Sequence, residues 1–278
     1  TDATGKRLYK YIINRGSSRS SKTYSLIDCY DLYARKNKHK RLTVWRDTKK
    51  DCKETVLVDF LGRLKRTQRY NVRQKFNITE SKFRYNTESV VEIQGTDDDE
   101  KVHGLTQDAA WFNEPYKISR ATFDQIDQRT SDFIFIDYNP KKGHWVEDLM
   151  RDPRAIIIDS TFQDNPFCPD EQALKLLSYQ PVSRCGLVER KDIALQRYAE
   201  GLKTSIVEAA KGYNVEANTL NFSSKDLLEL ERCQENEYKR SANSFNWSVY
   251  GLGEKAERPH RIFHFNEMPL NEYMKLQT

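Results

Sequence analysis

Long apolar runs are missing from this chain. The longest, such as Phe133 to Ile136 and Ala155 to Ile158, are far too short to cross a bilayer, which takes about 20 residues. Cysteine is sparse. Five residues (Cys29, Cys52, Cys168, Cys185, Cys233) are widely spaced, odd in number and without a C-x-x-C pair. That pattern excludes a zinc-thiolate or redox motif and fits a reducing compartment. No charge of one sign dominates, since 46 Lys and Arg stand against 41 Asp and Glu for a net +5. Binding to a polyanion would therefore need clustered cations rather than overall excess. No signal peptide opens the chain, which begins at Thr1 and reads as a trimmed form.

What is present suits a folded protein of one large domain, or one domain with an insertion. The 278 residues are 37% hydrophobic and include four Trp, 15 Tyr and 13 Phe, enough to build a core.

The most informative stretch runs from Tyr9 to Lys36. Tyr9, Tyr11, Ile12 and Ile13 read as a strand, followed by a short polar loop and a helix from Tyr24 to Lys36. The helix carries Leu26, Ile27, Tyr30, Tyr33 and Ala34 on one face. The loop, Gly16-Ser17-Ser18-Arg19-Ser20-Ser21-Lys22-Thr23, fits the phosphate-loop pattern G-x-x-x-x-G-K-[ST] except that Ser21 replaces the second glycine. Backbone N–H groups at a helix N-terminus form a concave anion site. Lys22 is expected to neutralise phosphates and the Thr23 hydroxyl to hold Mg²⁺. The competing reading is a Ser-rich turn that caps the helix through Ser20 or Ser21.

Further strands follow. Arg41 to Arg46 completes a strand-helix-strand unit of the kind that builds parallel sheets. Lys49 to Leu64 has a helical stripe, and a basic stretch follows it: Arg63, Lys65, Arg66, Arg69, Arg73 and Lys75, with Tyr70 and Phe76 interleaved. Such a stretch suits either phosphate neutralisation or a solvated face. From Phe76 to Gln94 the period changes to two, as in an antiparallel edge. Gly95 to Gly104 reads as an acidic loop. Its adjacent Asp97, Asp98 and Asp99 suit a solvated turn better than a metal site, because successive loop side chains rarely converge.

Ala109 to Pro115 is an apolar strand ending in Asn113-Glu114. In a phosphate-loop site the residue at the first of these positions assists Mg²⁺ and the second orients the attacking water. Asn113 is thus a neutral metal-side candidate and Glu114 the candidate general base. Thr122 to Arg129 reads as a short helix. Phe133 to Asp137 reads as a buried parallel strand, ending in Asp137-Tyr138-Asn139-Pro140 at the edge where ligands bind in doubly wound sheets. Those polar groups suit γ-phosphate sensing or an Asn-Pro turn equally. Ala155 to Asp159 repeats the buried-strand pattern, giving five parallel candidates. After Pro169 the pattern turns helical over 170–179, 190–211 and 223–239, a possible lid. Trp247 to Gly253 and Arg261 to Phe265 read as a Gly-punctuated tail with strand-like ends. His144, beside Trp145, reads as a packing or capping residue. Tyr9 and Tyr11 suit stacking on a base or plain strand packing.

Taken in order, these segments resemble the ATPase domain of the large terminase subunit, the motor that packages DNA into tailed phage capsids. They are Gly16 to Thr23, Trp45-Arg46, Gly95 to Gly104 before Trp111 to Glu114, Ile136 to Pro140 before His144-Trp145, Ser160 to Phe167, and Tyr250 to Glu254. The resemblance implies an α/β phosphate-loop NTPase with a mainly parallel central sheet, antiparallel edge strands and an appended helical lid. The expected division is a core over 1–168, a lid over 169–246 and a return segment over 247–278. It implies that Gly16 to Thr23 and Asn139 bind ATP, that Thr23 and Asn113 lie on the Mg²⁺ side, and that Glu114 activates water. Asp137 to Asn139 would couple hydrolysis to movement. An arginine finger is expected from Arg19, with Arg15 also near and Arg46 and Arg129 weaker candidates. Implied partners are double-stranded DNA, the portal protein, the small terminase subunit, and other copies in a ring on the capsid, with the isolated chain a possible monomer and no membrane involved. The implied location is the host cytoplasm. The family's nuclease domain would begin near where this chain stops, so nuclease activity is not expected in it. Ser21, Asn113 and a long stretch between Tyr179 and Phe222 depart from the family pattern. A helicase-like or repair ATPase, and a DNA-binding scaffold with a decayed nucleotide site, are the alternatives.

Overall fold

The computed structural model describes residues 8–70, 76–77, 80–97, 99–140, 144–186 and 224–256. At its centre is an eight-stranded sheet. The strands are β1 (Tyr11–Gly16), β2 (Arg41–Arg46), β3 (Phe76–Asn77), β4 (Lys82–Arg84), β5 (Val90–Gly95), β6 (Gln107–Asn113), β7 (Thr130–Tyr138) and β8 (Ala155–Ser160). Their order across the sheet is β3-β4-β5-β2-β6-β7-β1-β8. From β5 to β8 every pairing is parallel, while β3-β4 and β4-β5 are antiparallel. Six strands are therefore parallel, one more than expected, because β5 turns its second edge to β2.

Helices cover both faces. On one side α1 (Lys22–Lys36) and α3 (Val58–Arg66) pack Leu26, Ile27, Tyr30, Phe60 and Leu64 against Val44 and Trp111. On the other, α5 (Arg120–Gln128) and α6 (Val146–Leu149) pack Phe123, Ile126, Val146 and Leu149 against Trp45 and Phe112. The adjacent residues Val44 and Trp45, and Trp111 and Phe112, thus point to opposite faces, as the two-residue period of a strand requires. Each aliphatic side chain buried this way contributes about 1.5–3 kcal/mol. Both faces being covered explains the continuous apolar run of β7.

Several expectations need correction. Ala155 to Asp159 is a parallel strand but an edge one, leaving Ile157 and Ile158 39% and 44% exposed. The run from Lys49 is interrupted: α2 (Lys49–Cys52) passes through a π turn (Lys53–Leu57) before α3. Asp99–Gly104 in the expected acidic loop is a short helix, α4. After β8, α7 (Asp170–Leu177), α8 (Ser224–Tyr238) and α9 (Ser244–Asn246) follow, and Trp247–Leu252 is a π turn, not a strand. There the Trp247 ring packs over Gly251, where a Cβ would strike it, and the turn stops at Gly253 with φ +68. The segments expected at 190–211 and 261–265 lie outside the described residues.

Part of the basic sequence is committed within the fold, while Lys65 and Arg66 lie over the rings of Tyr70 and Tyr24 and Arg66 lines a cavity at the carboxyl ends of the parallel strands. Arg63 and Arg69 pair with Asp28, Arg69 and Arg35 with the buried Asp31, Lys40 with Asp108 and Asp132, and Arg41 with Glu92. Arg73 and Lys75 lie outside the described residues.

Candidate functional site

The site is built where β1 ends. Gly16 closes β1 against Ser160 of β8, so tightly that a Cβ would strike the Ser160 carbonyl oxygen. The Ser17 N–H donates to that same oxygen at 2.9 Å, and the Ser17 hydroxyl accepts from the Phe162 N–H at 2.8 Å. Gly16 and Ser17 therefore anchor the loop from behind. They were expected to touch a ligand, yet neither lines this cavity: the Ser17 N–H and hydroxyl bond to Ser160 and Phe162, and both carbonyls accept from Lys22.

Ser18, Arg19, Ser20, Ser21, Lys22 and Thr23 do line it, together with Glu114, Asp137 and Asn139. The cavity holds about 1010 Å³ and opens at the carboxyl ends of the parallel strands, where such sheets bind ligands. Ser21 adopts φ 66, the left-handed conformation that a glycine would take most easily, and its side chain makes no capping hydrogen bond. The loop thus keeps the backbone path of the glycine pattern, and the capping reading of Ser21 fails.

Lys22 is folded onto its own loop. Its Nζ donates to the Ser17 carbonyl at 2.6 Å, to the Gly16 carbonyl at 3.2 Å, and to Ser20 Oγ and Asn139 Oδ1 at 3.1 Å each. Burial pushes its pKa down, against the pull of the carboxylates of Asp137 and Glu114. An incoming anion would relieve that cost. Arg19 is exposed at the cavity rim with φ 63, and its carbonyl accepts from Asn165 Nδ2 at 2.8 Å. The other arginines are placed differently. Arg15 grips Asp159 through two hydrogen bonds of 2.6 and 2.8 Å. Arg129 lies beside the first residues of β6 and β7, at the opposite end of the sheet. Tyr11 is also at that far end, donating to Asp127 at 2.9 Å, and does not meet the cavity.

Asn113 departs from expectation. Its Oδ1 accepts from Arg46 Nη1 at 2.7 Å, and its Nδ2 donates to both oxygens of Asp137 at 3.1 Å. With its oxygen held by a cation, Asn113 presents no ligand to the cavity and does not line it. Arg46 also holds Glu114, Nη2 to Oε2 at 2.8 Å, and donates to Thr55 Oγ1 in the π turn at 2.7 Å. Glu114 leaves the strand with φ 47, a strained conformation that turns it off the end of β6.

Asp137 was expected only as part of a coupling segment. It is 1% exposed, accepts from the Trp111 indole N–H at 2.6 Å, and accepts from Thr23 Oγ1 at 3.2 Å. Burial raises its pKa, while the hydrogen bonds from Trp111 and Asn113 and the charge of Lys22 oppose the rise. A continuous hydrogen-bonded path thus runs Thr23, Asp137, Asn113, Arg46, Glu114. The hydroxyl of Thr23 beside the Asp137 carboxylate is a pair of hard oxygen donors and fits Mg²⁺. His144 bonds the Pro115 carbonyl at 3.0 Å and packs on Tyr138, in keeping with a packing role. Among the described residues no cluster of three or more His, Cys, Asp or Glu could hold a metal, and no helix is long and apolar enough to cross a membrane.

These features define a mixed α/β protein with a mostly parallel sheet, a strand-loop-helix unit at one strand end and an acid-lined cavity beside it. The chain belongs to the phage terminase large subunit family, which it matches over residues 9–184. Solved structures agree on the fold. The large terminase of a thermophilic bacteriophage is 18% identical with a TM-score of 0.55, over 66% of this chain and 48% of that one. The same thermophilic-phage protein in complex with ATP-gamma-S gives 16% identity and a TM-score of 0.51, over 66% and 47%. The HK97 bacteriophage large terminase is 10% identical with a TM-score of 0.50, over 89% and 47%. The chain spans about half the length of these relatives. No curated protein matches it.

Proposed function

We propose that this chain is the ATP-hydrolysing motor part of a large terminase, coupling hydrolysis to the movement of double-stranded DNA into a procapsid in the host cytoplasm. The observation that carries the reading is that Lys22 and Glu114, 92 residues apart in sequence, line one cavity at the carboxyl edge of the sheet. The thermophilic-phage relative with bound ATP-gamma-S supports a nucleotide as the occupant.

In this reading the loop N–H groups from Ser18 to Thr23 bind the phosphates, and Lys22 leaves its loop carbonyls to neutralise them. Thr23 holds Mg²⁺, which when bound neutralises phosphate charge. Glu114 accepts a proton from water. Arg46 keeps Glu114 aimed, and Asn139, bonded to Lys22, reports whether the lysine has moved. Arg19, at the rim, is the arginine assigned to the terminal phosphate; Arg63 and Arg66 also line the cavity. The portal protein, the small subunit and further copies in a ring are the proposed partners.

The test is ATP hydrolysis by the chain with and without double-stranded DNA. Stimulation by DNA, and loss of at least about 10²-fold in Lys22→Ala and in Glu114→Ala, is expected. Parent-like turnover in both variants would refute the site. The left-handed backbone at Ser21 argues against a decayed site, because the loop keeps its shape despite the serine.

A further inference from the structure

We infer that Asp137 on β7, one strand nearer the phosphate loop than Asn113 on β6, is the residue whose side chain serves the divalent cation. This deepens the nucleotide reading above and rests on it.

The sheet order supplies the first argument. β6, which carries Asn113, is not a neighbour of β1; β7 lies between them. Asp137 is in register with Asn113 on one side and with Asn14 of β1 on the other. Adjacent strands are about 4.8 Å apart, so an acid on β7 stands one strand spacing nearer the loop. The contacts agree with this. Thr23 gives its only hydroxyl proton to Asp137 Oδ2, which leaves the lone pairs of its oxygen for a cation. Asp137 lines the cavity and Asn113 does not.

The amide of Asn113 supplies the second argument. Its orientation is fixed from both sides, by a carboxylate at Nδ2 and a guanidinium at Oδ1. An aspartate at 113 would set two carboxylates about 3 Å apart, an arrangement in which both cannot stay ionised. Asparagine removes that conflict and donates to both oxygens of its neighbour. In this chain the acid therefore sits on β7 and the amide that supports it on β6.

The third argument is the setting of the charge. Asp137 is held by neutral donors, Trp111, Asn113 and Thr23, and forms no ion pair among the described residues. A carboxylate buried with neutral partners is costly unless a cation completes it. The charge of Lys22 acts on Asp137 without bonding it, and a divalent cation on the Thr23 side, where the cavity lies, would complete the carboxylate.

The test is the Mg²⁺ dependence of ATP-gamma-S binding, measured by calorimetry in Mg²⁺ and again in EDTA. Asp137→Asn keeps the shape of the side chain and is expected to lower the Mg²⁺-dependent gain in affinity, the ratio of binding in Mg²⁺ to binding in EDTA, about 10- to 100-fold. An Mg²⁺ dependence equal to that of the parent would overturn the assignment while leaving the nucleotide site intact. A parent that binds no ATP-gamma-S under either condition would overturn the nucleotide reading itself. A crystal of the parent with ATP-gamma-S and Mn²⁺ decides the matter without any variant, since anomalous scattering locates the ion. Mn²⁺ bound to Thr23 with Asp137 as its nearest carboxylate, directly or through one water, supports the assignment. Mn²⁺ closer to Asn113 or Glu114 overturns it.

Discussion

At Ser21 a side chain occupies a backbone conformation that L-residues avoid, at a cost of about 1–2 kcal/mol. Ser21→Gly should therefore stabilise the chain by about 1 kcal/mol, and Ser21→Val, branched at Cβ, should destabilise it by about 1–2 kcal/mol. Urea denaturation of the two variants checks both signs. Arg46 is the second informative residue. Its guanidinium bridges Asn113 and Glu114 and does not line the cavity. Arg46→Ala is expected to slow hydrolysis by up to about 10²-fold through a misplaced Glu114 while leaving ATP-gamma-S affinity unchanged. Arg46→Lys should not rescue it, because a lysine cannot present two parallel donors. Parallel losses of rate and affinity would place Arg46 on the nucleotide instead. In sequence Arg46 is only a weak finger candidate, since nothing local says which acid a strand-end arginine will meet.

Among the elements, α1 and α3 are clamped as well as packed. Arg63 and Arg69 both grip Asp28 of α1, with separations of 2.7 and 2.8 Å. Burial pulls the Asp28 carboxyl up, but its bonds to Arg63 and Arg69 outweigh that and hold it below its ordinary 3.8. A lowered acid contributes stability that is complete above about pH 4 and is lost as pH falls through the lowered value. Asp28→Asn should flatten this acid limb and cost no more than about 1 kcal/mol at pH 7, the clamp being partly exposed. Thermal unfolding of parent and variant between pH 2 and 7 measures it. This clamp explains why the basic stretch after α3 is ambiguous in sequence. A run of arginines looks alike whether it faces phosphate, water or the acids of a helix 35 residues upstream. The π turn before α3 is equally hidden, because the apolar stripe from Lys49 continues through it. In the fold it brings Thr55 to Arg46. Such bulges cluster at functional sites.

For the whole molecule, the decisive contact joins the end of the described chain to the loop near its start. Gly253, at φ +68, packs so closely that a Cβ would come within 2.5 Å of the Ser17 nitrogen. Gly253→Ala should cost about 1–3 kcal/mol and slow hydrolysis, because it pushes the C-terminal turn off the loop. Chemical denaturation and steady-state turnover report the two effects separately. Trp247 and Phe162, in ring contact at 6.3 Å, tie the same turn to the segment after β8. The sequence by itself determined the strands, the helix after the loop, the lysine and threonine at its start, and the glutamate at a strand end. All of these follow from period and turn chemistry within a few residues. Only the tertiary structure decided which acid meets Thr23, which arginine holds Glu114, and which glycine backs the loop. Those depend on the order of strands across the sheet, and spacing along a chain does not encode which strand ends become neighbours.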